Sequence, residues 1–205
     1  MPTIDYYFYG ASPFTYLGND AIRAVADKHG ATLNYKPVNL FGLWELSGAV
    51  PPAQRPPVRQ RYRLIELQRI SEIRDRPVNL KPAFFPVDMT LADNCTIAIV
   101  KRGDDPHAFL NKVGKGVWLD DIDMSNEAEI ADKLAECDFD PDTIITVAQS
   151  DDVASIRAAN TQAAIDADAV GVPAYVLNGE VFWGQDRIDY LDHALSSGRE
   201  PYKAD

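Results

Sequence analysis

The chain has 205 residues, 46% apolar and 25% charged, with 31 acidic against 20 basic side chains and a net charge of −11. That length gives one large domain, or a small one with a second inserted into it, and enough apolar side chains for a real core. The acidity argues against nucleic acid and anionic membrane surfaces as partners, and no apolar run reaches the roughly 18 residues that a membrane-spanning helix needs.

Thr3 to Tyr9 reads as a first strand, aromatic from Tyr6 onward, as a pleated buried surface favours. Gly10 permits a sharp turn, Ser12 is a good N-cap, and Pro13 suits a first helical position because its missing N–H would be unpaired there anyway. A helix over 13–29 follows, with Leu17, Ala21, Ala24 and Val25 near a helical period and Gly30 closing it. Taken alone, Ser12-Pro13 is only a capped helix. It also sets a hydroxyl at the positive end of a helix, where free N–H groups and the macrodipole favour an anion. Residues 32–38 alternate and give a second strand, so the opening is a βαβ unit with parallel strands and a right-handed crossover.

Beyond residue 40 the character changes. Gly42 to Pro57 is rich in Pro and Gly and reads as a loop pinned by Phe41, Leu43 and Trp44. From Val58 to Asp75 the apolar period is helical, and Arg59, Arg61, Arg63, Arg69 and Arg74 crowd its other positions. Such a run predicts a solvated face from which one or two side chains reach a cleft and attract a carboxylate. Residues 79–88, with Phe84-Phe85-Pro86, are irregular. Helices are expected at about 90–101, 106–118, 126–137 and 141–149, with starts marked by Asp105-Pro106, Ser125 and Asp140-Pro141, and a long one at about 151–168. Ala174 to Leu177 and Glu180 to Trp183, joined by Asn178-Gly179, form a hairpin. Gly184-Gln185-Asp186 then leads into a last helix closed by Gly198. The order is β-α-β, a helical block, then α-β-β-α. It divides the chain into one domain of residues 1–40 and 151–205 and an all-helical insertion of residues 41–150.

Cys95 and Cys137 lie too far apart for a CxxC pair, and a disulfide between them is disfavoured in the cytoplasm, where the lack of a signal peptide puts the chain. His29, His107 and His193 have no ligand-like spacing, so no metal site is expected. A Ser-His-Asp triad is excluded, because no His falls in a loop near Ser12 and no G-x-S-x-G elbow exists.

This element order, with Gly171-Val172-Pro173-Ala174 just before the hairpin, resembles the thioredoxin layout, in which that proline is cis and faces the start of the first helix. The resemblance implies an α/β, thioredoxin-like fold with a helical insertion. Where such oxidoreductases carry CxxC, this chain has Ser12-Pro13-Phe14-Thr15, so it cannot exchange dithiol for disulfide. Three stretches resemble the 2-hydroxychromene-2-carboxylate isomerase family, part of the DsbA-like branch that also holds the kappa-class glutathione transferases. They are Ser12 to Leu17; Tyr62 with Glu66-Leu67-Gln68-Arg69 and then Phe85-Pro86; and Gly171-Val172-Pro173 with Phe182-Trp183-Gly184-Gln185-Asp186-Arg187. Two departures stand out: Gln185 replaces a common Asn, and the loop before the arginine-rich helix reads Ser47-Gly48-Ala49 without its usual Asn.

What this resemblance implies is a glutathione cofactor. Val172 and Pro173 would clamp it as a strand adds to a sheet edge. Gln185 and Asp186 would hold its γ-glutamyl end, and Ser12 would stabilise its thiolate. The reaction would be cis–trans isomerisation of an aromatic α-keto acid, with Arg55, Arg59 or Arg69 taking the carboxylate and Trp44 and Phe85 forming the wall for the ring. The family further implies a homodimer. Two alternatives stay open: a kappa-like transferase or peroxidase that consumes glutathione, and a non-catalytic binding or chaperone module on the same frame.

Overall fold

The computed structural model describes residues 1–204. Its centre is a sheet of four strands in the order β2-β1-β3-β4, namely β1 (Thr3–Phe8), β2 (Thr32–Pro37), β3 (Ala174–Leu177) and β4 (Glu180–Trp183). β1 runs parallel to β2, with Tyr6 opposite Tyr35, and antiparallel to β3, with Tyr7 opposite Ala174. The α/β thioredoxin-like layout expected from the sequence is therefore present. Asn178 and Gly179 join β3 to β4 with φ of 52° and 84°, both left-handed as the Asn-Gly pair predicts.

Alternation along β1 sends its side chains to opposite faces. Ile4, Tyr6 and Phe8 enter one cluster with Ile22 and Ala26 of α1 (Pro13–His29) and with Ile188 and Leu191 of α9 (Ile188–Ser197). Tyr7 enters another, with Leu43 of α2 (Leu40–Ser47) and Ala164 of α8 (Asp151–Asp166). A third and larger cluster joins α3 (Pro57–Ile73), α4 (Thr90–Lys101), α5 (His107–Trp118), α6 (Glu127–Ala135) and α7 (Pro141–Ala148). Ala11, Tyr16 and Leu17 belong to that third cluster, so α1 serves the sheet with one face and the helical block with the other. Contact is close: a Cβ placed on Gly114 of α5 would lie 2.9 Å from the Tyr16 ring.

The loop expected over residues 42–57 is corrected in part. Residues 40–47 are helical because Asn39 caps Phe41 N–H at 3.2 Å, Leu43 is fully buried, and Gly48 ends the turn at φ 68°. Gly42 breaks nothing, since it lies inside α2 against Thr161. The prolines that suggested irregularity begin only at Pro51. Asn126, not Ser125, caps α6, accepting from Ala128 N–H at 2.9 Å. A 3₁₀ turn over Gln185–Arg187 precedes α9, so Gln185 and Asp186 stand just ahead of that helix rather than at its start. Among the described residues, Cys95 and Cys137 are free thiols.

Candidate active site

The turn between β1 and α1 is braced from three sides. Ser12 N–H donates to the Tyr9 carbonyl at 2.9 Å, the Tyr9 hydroxyl donates to the Val87 carbonyl at 3.0 Å, and Gly10 N–H donates to the Asp93 carboxylate at 3.0 Å. Gly10 has to be glycine here, because a Cβ would meet Asp93 Oδ1 at 2.7 Å and Met89 Cε at 2.9 Å. Asp93 is buried on α4 and pairs with Arg157 of α8 at 3.3 Å. Burial pushes its carboxyl up to about 7, against the pull of Arg157 and of Gly10 N–H.

At the start of α1, the Ser12 oxygen accepts Thr15 N–H at 3.3 Å. The hydroxyl proton is thereby left free to rotate toward an acceptor. Pro13 has no N–H, Tyr16 N–H goes to the Ser12 carbonyl at 3.0 Å, and Phe14 N–H has no backbone partner among the described residues. Two donors, Ser12 O–H and Phe14 N–H, thus remain at the positive end of a 17-residue helix. Phe14 N–H joins the candidate site although the sequence motifs do not mark it; its signal is Pro13, which leaves the next N–H as the first orphan.

The Val172–Pro173 bond is cis. Continuing the register that pairs Tyr7 with Ala174 sets Pro173 alongside Phe8, at the same end of the sheet as the Ser12 turn. Neither N–H nor C=O of Val172 joins a backbone hydrogen bond among the described residues, whereas the Pro173 carbonyl accepts Gly184 N–H at 2.8 Å. Unpaired backbone of this kind, just before β3 enters the ladder, can take an extended peptide.

Gln185 is buried, its Cβ within 2.6 Å of where a Cβ on Gly18 of α1 would stand. Arg74, at the end of α3, donates through Nε to Gln185 Oε1 and through an η nitrogen to its carbonyl, both at 3.1 Å. The clamp leaves the Gln185 amide NH₂ without a partner among the described residues. Arg74, grouped by the sequence reading with the solvated face, is therefore a positioning side chain. Asp186 is exposed and pairs with Arg187 at 2.7 Å. Gly184 before it has φ 102°, which side chains rarely adopt.

The substrate candidates separate. Phe85 is half-buried, 4.8 Å from the Trp118 ring. Arg55 is half-buried and donates to the Val50 carbonyl at 2.9 Å. Arg59 is exposed, and Trp44 is half-buried with Phe41 edge-on to it at 5.5 Å. Arg69 is exposed, paired with Glu66 at 2.5 Å and set over the Tyr62 ring, so its charge is already answered. Trp183 is exposed, its indole nitrogen 2.9 Å from where a Cβ on Gly171 would be. Among the described residues no group of three His, Cys, Asp or Glu side chains is placed to share a metal ion, and no helix is long and apolar enough to cross a membrane.

Comparison with known proteins agrees with this fold. A 2-hydroxychromene-2-carboxylate isomerase of Pseudomonas sp. (strain C18) is 29% identical over 196 residues, covering 94% of this chain and 89% of that protein. Glutathione S-transferase kappa 1 of Caenorhabditis elegans is 23% identical, covering 95% and 91% respectively. The crystal structure of a 2-hydroxychromene-2-carboxylate isomerase superposes with a TM-score of 0.78 at 24% identity, covering 95% of each chain. Residues 3–196 match the DSBA-like thioredoxin domain, and the chain belongs to that family.

Proposed function

We propose that the protein is a glutathione-dependent cis–trans isomerase of an aromatic α-keto acid, of the 2-hydroxychromene-2-carboxylate to trans-o-hydroxybenzylidenepyruvate type. The observation that carries this reading is the start of α1, where Ser12 O–H and Phe14 N–H stand as free donors and no thiol of the protein is beside them. A tripeptide thiol fits that vacancy in the chemistry. Its extended backbone fits the unpaired N–H and C=O of Val172 before cis-Pro173, and its γ-glutamyl carboxylate fits the free amide of Gln185.

Glutathione, when bound, supplies a thiolate that adds reversibly to a conjugated carbon and so frees the adjacent bond to rotate. Ser12 and Phe14 would lower the thiol pKa from about 8.5 toward neutrality by donating to the anion at the helix terminus. Val172 would fix the cysteinyl unit through N–H and C=O. Arg74 would keep Gln185 in place, and Asp186 would exchange Arg187 for the ammonium of the γ-glutamyl group. Of the three arginines singled out from the sequence, Arg55 and Arg59 stay available to the substrate carboxylate, since Arg69 is paired with Glu66, and Phe85 and Trp44 would stand beside the ring. The domain of residues 1–40 and 151–205 would carry the cofactor contacts, and residues 41–150 the substrate side. The setting would be cytoplasmic, where glutathione is kept reduced.

Calorimetric titration with reduced glutathione and with S-methylglutathione tests this. Reduced glutathione should bind, and methylation should weaken binding at least about tenfold, since the thiolate loses two charge-assisted donors. If neither binds, the cofactor and the reaction both go. The kappa-class relative supports a second reading, a transferase; stoichiometric loss of free thiol during turnover would favour it over isomerisation.

We also infer a homodimer through the outer face of α3. Val58, Tyr62, Ile65 and Ile73 share one helical stripe and are 63%, 56%, 45% and 77% exposed, which leaves an apolar strip open to water. Sedimentation velocity should give a dimer for the wild type and a monomer for Ile65→Glu. A monomeric wild type would end the idea.

A further inference from the structure

No acidic residue occurs between Glu45 and Glu66, yet the stretch holds Arg55, Arg59, Arg61 and Arg63. Arg69 and Arg76, further along, have Glu66 and Asp20; none of the four earlier arginines has an acidic partner among the described residues. In a chain where acids outnumber bases, a group of unanswered cations is the exception.

Arg63 is the least solvated of them. It is half-buried, and its guanidinium lies 5.8 Å from the centroids of both the Phe85 and Trp118 rings. A guanidinium bedded on aromatic faces keeps a planar fork of N–H donors free at its edge, the geometry that matches a carboxylate. Trp118 is 1% exposed, and its Nε1 has no hydrogen-bond partner among the described residues. Burial and the charge of Arg55 both lower the Arg63 pKa, and burial and Arg59 do the same to Arg55. These cations stand close enough to repel and are partly out of water, a cost that a bound anion removes.

The niche adjoins the Ser12 turn. Only Pro86 separates Phe85 from Val87, whose carbonyl accepts the Tyr9 hydroxyl, so at most about 7 Å of chain lies between them. Leu67, one helical turn on from Arg63, enters the same cluster as Ala11 and Leu17.

We propose that Arg63, bedded on Phe85 and Trp118 and flanked by Arg55, is the anion-recognising residue of the site, holding the carboxylate of a small aromatic acid through two N–H donors. The identity of the acid rests on the isomerase reading above. The aromatic floor beside the cation calls for a ligand that is part aryl, which inorganic phosphate is not.

The test is titration of the protein with phenylpyruvate, its methyl ester and inorganic phosphate. The acid should bind, the ester should bind at least about tenfold more weakly, and phosphate should not displace the acid. Arg63→Met should weaken the acid roughly ten- to a hundredfold, the range that a charge-assisted pair is worth, and should leave ester and glutathione affinities unchanged. Arg63→Lys should recover part of the loss, because it restores charge without the fork. Equal binding of the acid by Arg63→Met and wild type would overturn the proposal. So would an ester as tight as the acid, or no binding of phenylpyruvate by the wild type. Binding through Arg63 without isomerisation of chromene carboxylate would remove the isomerase reading and keep the anion site. Turnover with an unchanged KM in Arg63→Met would do the reverse.

Discussion

Replacing Ser12 by Ala should cost about a hundredfold in turnover and only about 1 kcal/mol in stability. The two effects have separate origins. The structural role of the hydroxyl is to accept Thr15 N–H, a cap whose removal costs about 1 kcal/mol. The turn itself is held by other groups: Asp93 on Gly10, the Tyr9 carbonyl on Ser12 N–H, and the Val87 carbonyl on the Tyr9 hydroxyl. The backbone should therefore keep its path when the side chain is shortened. On the proposed function the hydroxyl would donate a hydrogen bond to an anionic sulfur, and loss of one preorganised donor to a developing anion typically costs about 10²- to 10³-fold. Phe14 N–H remains and sets the smaller end of that range. Initial rates with chromene carboxylate at saturating glutathione, beside a urea unfolding curve, give the comparison. A variant that loses a kilocalorie or so but turns over at the wild-type rate would reduce Ser12 to a helix cap.

Asp93→Asn should flatten the pH dependence of stability between about pH 4 and pH 7. In the folded protein the Asp93 carboxyl is raised to about 7, whereas an unfolded Asp titrates near about 3.9. Between those values the folded state holds a proton that the unfolded state has released, so stability must fall as pH rises through the window. Three pH units correspond to about 4 kcal/mol at most. The groups facing this carboxyl are Gly10 N–H from the turn, Arg157 from α8, and Tyr9 and Asp88 nearby. Tyr9 titrates near about 12, above the window. Asp20 and Glu136, held down to about 2 chiefly by hydrogen bonds from His107 and Lys112 respectively, titrate below it. Asn keeps the size and the acceptor for Gly10 N–H and removes the titration, at the expense of leaving Arg157 facing a neutral amide. Urea midpoints at several pH values measure the slope. Parallel curves for wild type and variant would mean that Asp93 is ionised throughout.

The features written in the sequence were those that neighbouring residues decide. Ser12-Pro13, Gly30 and Asn178-Gly179 mark a helix start, a helix end and a hairpin by their own backbone preferences, and each stands where expected. α2 was hidden, because Gly42 and Gly48 look like breakers until Leu43 is seen to be buried and Gly48 to be the cap. α3 carries two apolar stripes. Val58, Tyr62 and Ile65 have a clear period yet face solvent, while Leu67 and Ile70 enter the core, and a helical period cannot say which stripe is covered. The arginines follow the same logic: one sequence run contains Arg69, answered by Glu66 one turn away, and Arg63, bedded on rings brought from residues 85 and 118. Asp93 and Gly10 are 83 positions apart, and only the packing of α4 against the turn joins them.

The two free thiols bear on how such a protein would live beside its cofactor. Burial pushes the Cys95 thiol up to about 12, and burial also raises that of the half-buried Cys137. Since the thiolate and not the thiol attacks a disulfide, burial slows both sulfurs toward a mixed disulfide with oxidised glutathione. With serine where related oxidoreductases carry a reactive cysteine, the sulfur most ready to ionise near neutral pH would be the visitor's. A shift in the cell's redox balance would then change how much reduced cofactor reaches Ser12, and would leave the polypeptide itself unaltered.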